Sequence, residues 1–303
     1  MISRRAVMRG ERDILLTGGT GFLGSNLLHR LVAEGYSIIL LKRSTSDLRR
    51  IGDLVGKIIM YDGDLVPLAR IFADHRIGTV IHCATHYGRR ELDPVALLEA
   101  NLILPVQLLQ LGVKHDLACF INTDTILDKR VNCYSLSKDQ FRVWLQLFAS
   151  RMSCINVALE HFFGPYDDES KFVTAIVRQL LAGAERIDLT QGEQKRDFIF
   201  IDDVVEAMLT IFLQRYDFGT GYHDFEIGSG NTISIRDFVT LVQKLAGNDR
   251  TQLNFGALPY RENEVMESKV DISKLSALGW QPRTSLEDGL MKTIQRERER
   301  QIP

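Results

Sequence analysis

Between a short apolar run, Ile14-Leu15-Leu16-Thr17, and an amphipathic stretch stands Gly18-Gly19-Thr20-Gly21-Phe22-Leu23-Gly24. A turn so rich in glycine lets the backbone approach a ligand more closely than a Cβ would allow. A helix starting there points its first N–H groups at that ligand. The spacing satisfies G-x-G-x-x-G from Gly19 and G-x-x-G-x-x-G from Gly18, and between a first strand and a first helix it reads as a cradle for a dinucleotide pyrophosphate. Gly18 and Gly21 are expected to permit the tight turn and close approach. Gly24 is expected to let helix and strand pack, with Phe22 and Leu23 completing the cofactor-binding stretch.

Further apolar runs follow at Ser37–Leu41, Ile58–Tyr61, Val80–Cys83, Ala118–Asn122 and Ile155–Leu159, with helical patterns between them. Most are continuously apolar, as strands covered on both faces must be. This alternation predicts an α/β chain with a doubly wound parallel Rossmann sheet. After about Gly164 the rhythm weakens, and a smaller mixed α/β substrate domain is expected. The expected division is 1–163 with about 198–222 for the cofactor domain, and 164–197 with 223–303 for the other. Two long helices, Leu92–Leu111 and Tyr134–Met152, carry wide apolar stripes (Leu97, Leu98, Leu104, Leu108; Phe141, Trp144, Leu145, Phe148) and predict a homodimer.

Composition narrows the classes. Hydrophobic residues are 45% and charged residues 25% of 303, with a net charge of −2, so neither nucleic acid nor an anionic membrane is expected as partner. No apolar run approaches the roughly 20 residues that span a bilayer. The segment from Met1 to Asp13 carries Arg4, Arg5, Arg9 and Arg12 without an apolar core after it, and reads as a frayed polar leader. Cys83, Cys119, Cys133 and Cys154 are scattered, with no C-x-x-C pair, which predicts reduced thiols, a cytoplasmic location and no metal.

Where the second run ends, an NAD enzyme places an acid on the ribose hydroxyls. Here Leu41-Lys42-Arg43-Ser44 has none. Arg43 is placed to clamp a 2′-phosphate, with Lys42 or Ser44 assisting, which favours NADP(H). Asp47 keeps NAD as the alternative.

Tyr134 and Lys138 stand four apart in Cys133-Tyr134-Ser135-Leu136-Ser137-Lys138, hence on one helix face. A phenol titrating near 10 needs a neighbouring cation to act as an acid–base catalyst at neutral pH, and a lysine one turn away supplies it. Upstream lies Asn122-Thr123-Asp124-Thr125 at a strand's end. Thr123 is the expected second donor to the substrate oxygen, with Thr125 as the competing assignment. His86 and Tyr87 follow the fourth run and could touch the substrate. His82 reads as structural. Cys83, Ala84 and Thr85 are expected beside the cofactor.

With these residues in view, the chain resembles the NAD-dependent epimerase/dehydratase family, the extended short-chain dehydrogenases, over nearly its whole length. The motifs are Thr17–Gly24, Gly63-Asp64-Leu65, Asn101, Thr123, Tyr134-x-x-x-Lys138, Gly164-Pro165 and Arg196-Asp197-Phe198-Ile199-Phe200-Ile201-Asp202-Asp203-Val204. Gly228-Ser229-Gly230 and Leu278-Gly279-Trp280-x-Pro282 also match. The resemblance implies that Tyr134 exchanges the proton with help from Thr123, and that Lys138 positions the cofactor. It further implies that Asp64 and Leu65 contact adenine, Asn101 lies in the cofactor site, and Arg196 and Arg261 bind a sugar-nucleotide pyrophosphate.

Departures from the family narrow the chemistry. Thr125 stands where the 4,6-dehydratases have the glutamate that helps expel water and where the 3,5-epimerase-reductases have a cysteine. His161, beside Glu160, replaces the usual asparagine before Gly-Pro and suggests an unusual substrate contact, as do Asp124 and Thr125. The Asn-Thr-Asp-Thr run, the short loop after it and Tyr-Ser-Leu-Ser-Lys are similar to the CDP-abequose and CDP-paratose synthase group, which reduces the 4-ketone of a CDP-3,6-dideoxyhexose with NADPH. A same-family 4-epimerase that retains its cofactor is the alternative. A non-catalytic relative is disfavoured by the retained Tyr/Lys pair.

Overall fold

The computed structural model describes residues 12–88 and 93–301. Most of the expected polar leader, and Leu92 at the head of the first long helix, lie outside the described residues. The elements begin with β1 (Asp13–Thr17), α1 (Phe22–Ala33), β2 (Ile38–Lys42), β3 (Ile59–Asp62), α2 (Leu68–Asp74) and β4 (Ile77–His82). Next come α3 (Pro94–Lys114), β5 (Cys119–Thr125), α4 (Cys133–Phe148) and β6 (Ser153–Leu159). Then follow β7 (His161–Phe163), α5 (Phe172–Leu181), β8 (Arg186–Leu189), β9 (Lys195–Phe200), α6 (Ile201–Leu213) and β10 (Gly221–Ile227). The chain closes with β11 (Thr232–Ser234), α7 (Ile235–Leu245), β12 (Gln252–Phe255), α8 (Ser273–Ala277) and α9 (Leu286–Gln301).

Two compact units divide this series. The first takes the chain through Ala158 together with Met208–Phe225. Its seven-stranded sheet has the order β10-β6-β5-β4-β1-β2-β3. The pairs β1–β2, β1–β4, β2–β3 and β4–β5 are parallel. Strands β4, β5 and β6 are buried at every residue, which explains why they read as unbroken apolar runs rather than alternating ones. Between β2 and β4, β1 marks the switch in winding direction, and Thr17 at its end pairs with His82 at the end of β4. In open sheets of this kind, ligands bind at the carboxyl ends beside that switch.

Helix α3 corrects one expectation. Its 21 residues are long and apolar enough to cross a membrane by length and composition. Single polar residues, among them Glu99, Asn101 and Gln107, interrupt the apolar run without much lowering the average. In this fold its Leu97, Leu108 and Leu109 are buried, the last two in one core with Phe120, Phe141 and Leu145. The expected interface stripe is therefore divided. Leu97, Leu108, Phe141 and Leu145 face inward, whereas Leu98 and Trp144 are exposed.

The second unit comprises Leu159–Ala207 and the chain from Glu226 onward. It holds a three-stranded sheet, β11-β9-β7, and a parallel pair, β12-β8. Helices α5, α7 and α9 pack on one another, with Phe198 stacked on Phe238 at 3.9 Å. The chain was expected to return to the first unit near residue 198. It returns at Met208, because β9 pairs with β7 and β11 and holds that stretch in the second unit.

Candidate active site

The glycine turn is built by contacts that exclude side chains. Gly18 has φ +70°, and a Cβ there would stand 2.5 Å from the backbone of Cys83 and Ala84. A Cβ on Gly24 would meet the Gly18 carbonyl oxygen at 2.2 Å, so the helix can approach the strand only as glycine. Gly21 caps α1 without a side-chain bond, and a helix N-terminus of this kind suits an anionic ligand. Phe22 and Leu23 are buried in that first turn. Thr17, which sequence reasoning left without a role of its own, ties the turn to the β4 loop. Its Oγ1 lies 2.8 Å from His82 Nδ1 and accepts from Ala84 N at 3.1 Å. His82 is fully buried, and burial holds its imidazole well below the usual histidine range, hence neutral.

At the ends of β2 and β3, Asp64 accepts from Ser44 N at 2.8 Å and from Ser44 Oγ at 2.5 Å. Both residues were expected to touch the cofactor, and both remain exposed. They brace each other, and the Ser44 hydrogen bonds hold Asp64 below the usual carboxylate range. Lys42 pairs with Asp62, and Asp47 is taken by Arg49 through its backbone N and its Nε at 2.7 Å. Arg43 is exposed, its guanidinium without a protein partner among the described residues, and Leu65 nearby is 70% exposed.

Helix α4 is started by a capping box in which Asn132 and Ser135 bond each other's backbone N–H. Tyr134 thus sits in the first turn and Lys138 one turn later, as their spacing requires. Lys138 is 1% exposed and its Nζ donates to the Thr123 carbonyl at 2.7 Å. Burial lowers its pKa, and the Asp124 carboxylate opposes that shift. Thr123 Oγ1 donates to the His82 carbonyl at 3.0 Å, and rotation about Cβ–Oγ1 would redirect that proton. Thr125 lies on the same strand face, where its Oγ1 accepts from Leu127 N at 3.2 Å. Of the two threonines, Thr123 bonds Lys138, through its backbone carbonyl.

Two nominated residues are turned inward. Asp124, expected at the substrate, has a carboxylate with no exposed surface. Its Oδ2 accepts from Arg142 Nε at 2.8 Å, Arg142 Nη2 at 2.6 Å and Asn156 Nδ2 at 3.0 Å, so nothing is left for a sugar. Arg142 follows Lys138 at i+4, and that spacing was the available signal. Asn101, expected at the cofactor, is wholly buried in a π-helical turn of α3 (Glu99–Ile103). Its Nδ2 donates to the His86 carbonyl and to Ser137 Oγ, and its Oδ1 accepts from His86 N at 2.8 Å. It clamps the β4 loop to the catalytic helix. The Tyr87 ring then lies 5.1 Å from that of Tyr134.

In the second unit Arg196 is 7% exposed, donates to the Lys195 carbonyl at 2.7 Å and pairs with Glu264. Arg261 is exposed. His161 Nδ1 lies 2.7 Å from Glu160 Oε2, and Glu160 also accepts from Ser268 Oγ. Neither Glu264 nor Ser268 carried a sequence signal. The motif acids are staples: Asp197 accepts from Ser229 N and Gly230 N, both at 2.8 Å, and Asp203 from Arg283 N at 3.0 Å and Thr284 N at 2.9 Å.

Sheet order, glycine turn and the tyrosine–lysine helix define a Rossmann-type dinucleotide-binding protein. A model of the NAD dependent epimerase/dehydratase family matches residues 14–228. The chain is 33% identical over 293 residues to the CDP-abequose synthase of Salmonella muenchen, covering 94% of this chain and 97% of that one. It is 30% identical over 294 residues to the CDP-abequose synthase of Salmonella typhimurium, covering 93% and 97%. The structure of the UDP-glucose 4-epimerase of Thermotoga maritima with UDP-glucose superposes with a TM-score of 0.82 at 26% identity, covering 95% of this chain and 99% of that one. The chain belongs to the NAD dependent epimerase/dehydratase family.

Proposed function

We propose that this chain is an NADP(H)-dependent ketoreductase acting on the 4-keto group of a nucleotide-activated deoxyhexose, of the CDP-4-keto-3,6-dideoxyhexose type. The observation that carries the reading is Lys138, buried against the Thr123 carbonyl one turn beyond Tyr134. The similarity to two CDP-abequose synthases over more than nine-tenths of the chain supports the substrate class. The commitment of Asp124 to Arg142 speaks against water elimination, which needs a free acid beside the catalytic hydroxyl.

The residues present fit a dinucleotide: the space that a Cβ on Gly18 or Gly24 would fill, and a helix N-terminus without a side-chain cap. Arg43 would hold the 2′-phosphate and Leu65 would pack on adenine. When bound, the reduced nicotinamide supplies a hydride to the ketone carbon. Tyr134 gives its phenolic proton to the ketone oxygen, and solvent later restores it. Lys138, one turn from Tyr134, stabilises the phenolate left behind. Thr123 polarises the same oxygen once its hydroxyl rotates from the His82 carbonyl. Arg196 and Arg261 would bind the pyrophosphate, and Arg196 would have to share its charge between that group and Glu264.

The reaction belongs in the cytosol, in keeping with four free thiols. A second copy would cover the exposed apolar side chains of α3 and α4, among them Val95, Leu98, Ile103, Val143, Trp144 and Leu147. A dimer in sedimentation at micromolar concentration is expected, and a monomer rejects this assignment. The activity is tested with a CDP-4-keto-3,6-dideoxyhexose made in the same tube and NADPH absorbance as the readout. Protein that carries tightly bound NAD and interconverts 4-epimers without consuming NADPH establishes the epimerase alternative.

A further inference from the structure

Asn101 fixes more than its own helix. One side-chain amide bonds both the N–H and the carbonyl of His86, at 2.8 and 2.9 Å, and reaches Ser137 Oγ at 3.0 Å. On the other side of Tyr87, Gly88 N donates to His86 Nδ1 at 3.3 Å. Tyr87 is thereby held by the backbone on either flank and tied to the helix that carries Tyr134 and Lys138. Its ring lies 5.1 Å from that of Tyr134 with 44° between the planes, and 39% of the residue remains exposed.

A ketone oxygen that takes a proton from Tyr134 must come within about 3 Å of the phenol oxygen. The sugar carbons flanking the ketone then lie beside the Tyr134 ring and its immediate neighbours. A ring face suits C–H groups. A hydroxyl pressed against it loses water and finds no replacement partner. We propose that Tyr87 is a specificity-determining residue whose ring forms an apolar wall for a carbon next to the ketone, favouring a sugar deoxygenated there. The inference rests on the ketoreductase reading given above.

The test compares CDP-4-keto-3,6-dideoxyglucose with CDP-4-keto-6-deoxyglucose, which differ in one hydroxyl. Wild type and Tyr87→Phe should favour the first in kcat/KM by roughly ten- to a hundredfold, the scale on which apolar sites reject an added hydroxyl. Tyr87→Ala should bring the ratio close to one, with NADPH affinity retained. Tyr87→Gln keeps bulk while offering hydrogen bonds, and should do the same if the alanine variant fails to fold. A ratio unmoved in these variants, or a wild type without preference, overturns the proposal. The ratio of dissociation constants for the two sugars is measured in parallel and needs no turnover. If wild type reduces neither ketone, the ketoreductase reading fails, and Tyr87 is judged on that binding ratio alone.

Discussion

In the first unit, several residues that stand out in the sequence sit where the strands end: Gly21 gives α1 no side-chain cap, the guanidinium of Arg43 is exposed, and Tyr134 stands one turn before the buried Lys138. In the second unit the conspicuous residues are turned into the protein. Arg196 pairs with Glu264, His161 with Glu160, and Asp197 and Asp203 bind backbone amides of later loops. The same kind of motif thus marks chemistry in one place and architecture in the other. The deciding quantity is whether a side chain's hydrogen-bonding capacity is already satisfied within the fold.

The largest expected effect tests the first half of this contrast. Tyr134→Phe deletes only a proton donor, so turnover should fall by roughly two to four orders of magnitude while melting temperature and NADPH affinity stay near wild type. Near-wild-type turnover would remove Tyr134 from the chemistry. For the second half, Asp203→Ala should behave in the opposite way. It removes the bonds to the Arg283 and Thr284 amides, which are only partly buried, so each lost bond costs about 0.5–1.5 kcal/mol. Denaturant titration should show the loss while kcat of the remaining folded protein is unchanged. Equal damage to kcat would mean that the staple also shapes the site.

Arg43→Ala sharpens the contrast at an exposed position. A charge-assisted hydrogen bond contributes about 1.5–3 kcal/mol, so the dissociation constant of NADPH should rise roughly ten- to a hundredfold while that of NADH stays constant. If the NADPH/NADH ratio does not move, the 2′-phosphate is held elsewhere.

The smallest effect would break the contrast, because His82 is an inward-turned group within the first unit. Burial depresses its folded pKa well below the 6.5 usual for histidine. The unfolded chain therefore takes up a proton that the folded chain refuses. The stability contribution is complete above about pH 6.5 and is lost as pH falls below it, at about 1.4 kcal/mol per pH unit. The stability of His82→Phe should depend less steeply on pH between 6.5 and 5 than that of wild type. Parallel curves would mean that another group governs acid sensitivity.

Much of the first unit could be read from residues alone. Unbroken apolar runs between helical patterns give a doubly wound sheet because both faces must be covered, and i, i+4 spacing places Tyr134 and Lys138 on one face. Partners set by distant loops were not legible. The i+4 spacing puts Arg142 on the face of Lys138 but does not name Asp124 as its partner, and nothing local says that Glu264 meets Arg196, since those pairings are fixed by tertiary packing. Asn101 was singled out by resemblance, but its part as a clamp emerged only with the π-helical turn that aims it. The return of the chain at Met208 rather than near 198 likewise depends on strand pairing that β9 alone does not reveal.

The order of the sheet bears on synthesis. The earliest strand among the described residues, β1, lies inside the sheet, and its contact through Thr17 and His82 spans 65 positions. A nascent chain ending after α1 therefore exposes Ile14, Leu15 and Leu16 until β4 has left the ribosome. On the other side, β6 is buried at all seven residues and acquires its outer neighbour only when β10 has been made. A fragment that stops before Gly221 leaves an apolar strand with an unpaired edge, the kind of surface that recruits strands from other chains. Premature termination or proteolysis ahead of that point should yield aggregates rather than a free cofactor-binding half.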